Sequence, residues 1–225
     1  MIIHQLTLFS KNLEEQKTFF IDVLGFGLVS ENENSFEIQT GLSRLKFIKS
    51  EKSKIYHFAF GIPYTIYPSA LAWLKKRVKI LCDEGNEVVD FPAWEAKALY
   101  FYDADKNICE FIARKELPKT MDQKFSIQQV YNIAEIGLVT HQIQPIFDKL
   151  HGATRVKMYD GSFNKFLAIG DYKGLFITID KNKKNWFPTG EEAPIADFIA
   201  QVEILNQLYQ IAYTDEKLEI SKLEK

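Results

Sequence analysis

Cysteine is scarce in this sequence: among 225 residues there are only Cys82 and Cys109. Two thiols at that spacing build neither a disulfide framework nor a cysteine metal site. Long apolar runs are missing as well. None approaches the ~20 residues of a membrane-crossing helix, and the opening "MIIHQLTLFS" lacks the basic start and cleavage site of a secretory leader. There is no excess of either charge. Lys and Arg number 28 against 30 Asp and Glu, for a formal net charge of -2, so nothing electrostatic points to nucleic acid or an anionic membrane. These absences lead us to expect a cytoplasmic protein whose ligand is a small molecule.

What the chain does have is a hydrophobic content of 46%, ordinary for a globular protein with a real core, and a repeated pattern. "IHQLTLFS" alternates like a strand, and "NLEEQKTFFIDVLG" reads as a helix with Asn12 as cap, Gly25 as terminator and a stripe of Leu13, Phe19, Phe20 and Leu24. "FGLVSE", "SFEIQT" and "RLKFIKS" follow as short strands between turn signals. The βαβββ order then restarts. "IYHFAFGI" is a strand, "PSALAWLKKRVKILCDEG" a helix with Ser69 near its cap and Gly85 at its end, and "NEVVDFPAW", "AKALYFYD" and "NICEFIAR" are strands. Gln5-Leu6-Thr7-Leu8 aligns with His57-Phe58-Ala59-Phe60, and Leu45-Lys46-Phe47-Ile48 with Cys109-Glu110-Phe111-Ile112. A third copy starts at "IAEIGLVTHQIQPIFDKLHG", where Gln5 aligns with Glu135, and "ADFIAQVEI" with "YQIAYTDEKLEISK" reads as strands of a shortened fourth. The fold class expected is α+β, built from repeated βαβββ units; the resemblance described below implies that they curl a mixed sheet into a cup, with helices outside. The expected division is 1–117 as the paired units carrying the site, 118–129 as a linker, and 130–225 as an accessory third unit with the shortened fourth.

Glu110 lies inside the apolar strand "NICEFIA", where a bare carboxylate is costly unless a cation, a hydrogen-bond donor or a metal offsets it. The paired units, "YHFAF" and the ending "YFYDADKNICEFIAR" resemble the vicinal oxygen chelate superfamily. That group includes glyoxalase I, extradiol ring-cleaving dioxygenases, and bleomycin- and fosfomycin-resistance proteins. Tyr100, Asp103, Asp105, Asn107 and Glu110 match its "YFxDPDGNxIE" ending, while Ala104 and Lys106 depart from it. The resemblance implies a cup in which the first and last strands of paired units point ligands at a divalent metal such as zinc, iron, manganese or nickel. The corresponding positions are Gln5, Lys46, His57 and Glu110. His4 is the alternate to Gln5; strand alternation favours Gln5, because His4 facing inward would turn Leu6 and Leu8 inward too.

Imidazole and carboxylate are good ligands for such metals, whereas the ammonium of Lys46 is not one at neutral pH. Two functions therefore stand side by side. One is a metal-dependent lyase, isomerase or oxygenase acting on a small oxygen-bearing molecule, with Gln5, His57 and Glu110 on the metal. Glu110 and Tyr100 would be catalytic, and Lys46, Tyr102 and Trp94 would contact substrate. Glyoxalase I itself is disfavoured by Lys46 in place of an acidic ligand. Extradiol cleavage is disfavoured by Gln5 and by the lack of a further histidine. The other is a metal-free binding protein of the bleomycin-resistance type, in which a Lys46–Glu110 pair replaces the metal. His141 and His151 read as surface residues, Trp186 and Phe187 as core or interface, and "NWFPTG" as a turn clamping the tail. An incomplete last unit leaves sheet edges to cover, which implies a homodimer.

Overall fold

The structure, a computed structural model, describes residues 1–224. Strand β1 (Ile2–Ser10) leads into α1 (Leu13–Thr18), which continues as a π-helical turn over Phe19–Val23. β2 (Gly27–Asn32), β3 (Ser35–Thr40) and β4 (Ser43–Lys49) complete the first unit. The second unit comprises β5 (His57–Pro63), α2 (Tyr67–Leu74), the short strands β6 (Ile80–Leu81) and β7 (Val89–Phe91), then β8 (Ala96–Tyr102) and β9 (Ile108–Arg114). The third has β10 (Asn132–Thr140), α3 (Ile143–Thr154), β11 (Met158–Ser162), β12 (Phe166–Asp171) and β13 (Gly174–Asp180). The fourth is a helix-free meander of β14 (Phe198–Ile204), β15 (Gln207–Thr214) and β16 (Lys217–Lys222). Its two turns place Leu205–Asn206 and Asp215–Glu216 at positive φ, the backbone that two-residue hairpin loops require.

The repeat is therefore real, and the mixed sheet does not close into a barrel. Three local expectations fail. The second helix stops near Leu74 and does not reach Gly85: Ile80 and Leu81 pair with Phe101 and Tyr100 as a strand, and burying that edge outweighs helical propensity. Ser69 does not cap that helix either, since its hydroxyl accepts from the Phe125 amide in the 118–129 segment. Asn12 likewise makes no side-chain cap and donates to Asp105.

The larger departure concerns which units pair. β5 lies antiparallel to β10, with Ala59 opposite Glu135 and Phe58 opposite Ile136. β1 lies antiparallel to β14, with Gln5 opposite Gln201. The second unit thus shares its cup with the third, and the first shares its sheet with the shortened fourth. Residues 1–117 do not make a cup of their own, and the segment 118–129 joins two halves of one sheet. Only the single register pair Ile3–Ile133 links β1 to β10.

Side-chain alternation explains the shared core. Leu6 and Leu8 of β1, Phe58 and Phe60 of β5, and Ile136 and Leu138 of β10 all join one cluster with Phe20 and Leu24 from the first helical segment. The helix-bearing faces of both sheets meet there, so the cups open outward. In β1 and β10 the register slips at the corresponding place, between Ile3 and Gln5 and between Ile133 and Glu135. A bulge of this kind turns the following residue onto the other face. Gln5, His57 and Glu135 consequently hold equivalent cup-facing positions.

The β8–β9 turn is locked by Asp103. Its carboxylate accepts from the amides of Asp105 and Asn107, from the Asn107 side chain and from buried Gln16 of α1, tying the site-bearing hairpin to the first unit. Asp103→Ala strands these donors and is expected to cost about 2 to 4 kcal/mol in urea unfolding. Asn12→Ala, which removes an exposed hydrogen bond, should shift the midpoint by less than about 0.5 kcal/mol.

Candidate metal centre

Three side chains converge at the floor of the cup built by the second and third units: His57 from β5, Glu110 from β9 and Glu135 from β10. One ligand atom from each lies within 4.8 Å of the others. They are 5%, 1% and 3% exposed. His57 Nε2 sits 3.5 Å from Glu110 Oε2 and 3.7 Å from Glu135 Oε2. Its other nitrogen, Nδ1, lies 3.1 Å from the Ile108 carbonyl, a bond only an N–H can make. In the neutral ring Nε2 then carries a lone pair, pointed at two acceptors.

Arg114, fully buried at the end of β9, donates from Nη2 to Glu135 Oε1 and from Nη1 to the Tyr172 carbonyl. That contact orients Glu135 and leaves its Oε2 toward the histidine. Among the described residues, Glu110 Oε1 has no hydrogen-bond partner. Burial, reinforced by the Glu135 charge and opposed by Arg114, raises the Glu110 carboxyl well above its usual range. Tyr100 stands opposite Glu110 across β8–β9, and burial, with the charges of Glu110 and Glu135, keeps its phenol protonated far above pH 10. An imidazole and two carboxylates sharing unused lone pairs are the donor set of a divalent cation such as zinc, iron or manganese. The residues present fit a metal. Nδ1 held by a backbone carbonyl and Glu135 held by Arg114 are the outer contacts such ligands need.

Above the triad lies a cavity of about 350 Å³, walled by Trp94, Phe166, Phe187 and Ile177 among others. Trp186 stacks near His57 at 5.5 Å between ring centroids. Its approach depends on Gly137, where a Cβ would come within 2.4 Å of the indole.

His57 and Glu110 are thus brought together, with Tyr100 beside them and Trp94 on the cavity wall. Tyr102, also expected to contact substrate, does not line the cavity; its hydroxyl donates to Glu191. Three expected residues lie elsewhere. Gln5 is in the other cup and donates to Glu37. Lys46 stands opposite Glu37 on β4, so no Lys46–Glu110 pair forms and the buried cation near the triad is Arg114. His4, at the bulge, contacts Glu203 at 3.1 Å. The physical reason is the pairing: the partner of β5 is β10, and the β10 residue equivalent to Gln5 is Glu135. His141 is exposed as expected, while His151 hydrogen-bonds the Val156 carbonyl beneath α3. Trp186 and Phe187 line the cavity besides packing, and the turn they open closes through Trp186 and Glu191.

No protein-family model and no curated protein matches this sequence. Solved structures do. A Bacillus subtilis protein provisionally named a dioxygenase superposes over 99% of this chain and 84% of its own, with TM-score 0.63 and 11% identity. A glyoxalase I variant from Zea mays covers 79% of this chain and 66% of its own, with TM-score 0.53 and 14% identity. The chain has a glyoxalase-like fold. At these identities the likeness concerns the backbone, and the chemistry rests on the triad itself.

One consequence is measurable without any metal. A raised carboxyl holds a proton in the folded state that the unfolded chain releases near pH 4.3, so stability is greatest in acid and falls as pH climbs from there through the folded value. In protein stripped by chelator, Glu110→Gln should flatten that decline. Urea midpoints measured from pH 4 to 8 that change equally in both proteins would remove Glu110 as its source.

Proposed function

We propose that this protein is a divalent-metal-dependent enzyme, a lyase, isomerase or oxygenase acting on a small oxygen-bearing molecule, with His57, Glu110 and Glu135 as the metal ligands. The observation that carries this reading is the convergence of three buried, under-satisfied acceptors on one point. Such a group is costly when empty of positive charge and well suited when a cation fills it. Bound there, the metal would supply Lewis acidity to an oxygen of the substrate.

The chain's own residues do the rest. Glu135 is fixed by Arg114 and His57 by the Ile108 carbonyl, so the ligands are oriented before anything binds. Tyr100, protonated and beside Glu110, donates a hydrogen bond to a substrate oxygen. Glu110, beside that oxygen, takes or returns a proton there or at the neighbouring carbon. Trp186 and the aromatic walls exclude water from the floor of the cavity. A metal-free binding protein is the second reading, favoured by Arg114, which already offsets one of the two carboxylates.

Elemental analysis separates the two. Protein purified without a nickel column should hold close to one equivalent of metal, and His57→Ala, Glu110→Ala and Glu135→Ala should each reduce it at least tenfold. Gln5→Ala, His4→Ala and Lys46→Ala should retain it. Absence of metal from the parent protein, with no uptake of zinc, iron or manganese, would favour the metal-free reading.

Two further features belong to this proposal. The thiols of Cys82 and Cys109 are free, which suits a reducing compartment such as the cytoplasm. Strand β2 pairs only with β3 and carries exposed Leu28 and Val29, an edge suited to a second copy. Sedimentation equilibrium at micromolar concentration should give twice the monomer mass, and Leu28→Lys should return the monomer.

A further inference from the structure

Away from the triad, the free polar groups of the cavity are hydrogen-bond donors. Its rim carboxylates are engaged: Asp160 accepts from Trp94 Nε1 at 2.6 Å, and Asp90 pairs with Lys97 Nζ at 2.7 Å. The indole N–H of Trp186, a residue 4% exposed, has no partner. Lys184, two residues earlier on the same wall, is half-buried, with Nζ 5.6 Å from the Phe166 ring centroid. Among the described residues it pairs with no carboxylate; burial first, then repulsion from Lys165, pull its ammonium below the usual lysine range. An ammonium held against aromatic rings without a counter-ion is an anion receptor in waiting.

We propose that the cavity receives a flat, apolar molecule bearing a carboxylate, with that carboxylate bound by Lys184. The aromatic walls at Phe91, Trp94 and Phe187 select the flat body. The orientation follows from charge. At the floor the one buried cation, Arg114, is already bound to Glu135, whereas the Lys184 ammonium has no carboxylate partner among the described residues, so the carboxylate of the ligand belongs at the Lys184 end. This inference rests on the reading of the cavity as a small-molecule site and does not require the metal.

The test compares 1-naphthylacetate with its uncharged amide, 1-naphthylacetamide, by quenching of tryptophan fluorescence and by calorimetry, on chelator-treated and on zinc-loaded protein. In the chelator-treated protein the carboxylate should bind at least about tenfold tighter than the amide, the scale of one charge-assisted hydrogen bond. Lys184→Met and Lys184→Gln should bring the ratio near one while leaving amide binding unchanged. Equal binding of the two probes, binding of neither, or a preference that survives both Lys184 substitutions would overturn the proposal. A preference seen only with zinc and kept in Lys184→Met would mean that the metal takes the carboxylate, which sinks this inference and supports the metal centre. A preference in the chelator-treated protein, lost with Lys184, would stand even if no zinc were ever taken up.

Discussion

Glu110 and Glu135 share a dry pocket because β5 and β10 run side by side, and the rest of the site answers the electrostatic demand this creates. Two buried carboxylates repel, and each has lost its water. Arg114 offsets one of them through a buried guanidinium, itself placed by the last residue of β9 and stacked 5.7 Å from Trp94. Glu110 has no such partner. Its unused Oε1, and the lone pair of a histidine whose other nitrogen is tied to the backbone, define where a cation fits.

The repeat makes an internal control. Gln5, His57 and Glu135 are equivalent across three units, as are Lys46, Glu110 and Ile177 by their register with the first strands. In the cup of the first and fourth units, Gln5 donates to Glu37 and Arg44 lies 3.7 Å from that same carboxylate. The polar groups there satisfy one another. One backbone plan therefore yields a cup that is chemically quiet and another whose acceptors still need a partner.

The βαβββ periodicity, the cup-facing register of Gln5 over His4, and the strand positions of His57 and Glu110 were all legible from alternation and turn signals. The unit pairing was not. Sequence order suggested that neighbours pair, whereas the sheet joins the second unit to the third and the first to the fourth, and nothing local in "HFAF" or "IAEIG" states which strand lies alongside. Glu135 had a signal, since it aligns with Gln5 and is a carboxylate within an apolar strand as Glu110 is. Treating the third unit as accessory hid it. Arg114 carried the same mark, a charge ending "ICEFIAR" that turns out to be fully buried. The short second helix escaped because Ile80 and Leu81 fit a helical stripe as well as a strand edge.

The nested order of pairing has a consequence for how the molecule assembles. Every strand of the site-bearing sheet falls within residues 57–180, while β1, paired locally with β4, finds its second partner β14 about 200 positions downstream, with Ile3 opposite Val202. Contacts so distant in the chain form late. The strands of the inner sheet can therefore pair before the outer sheet closes over the core the two share, so damage to β14 would act first on that closure.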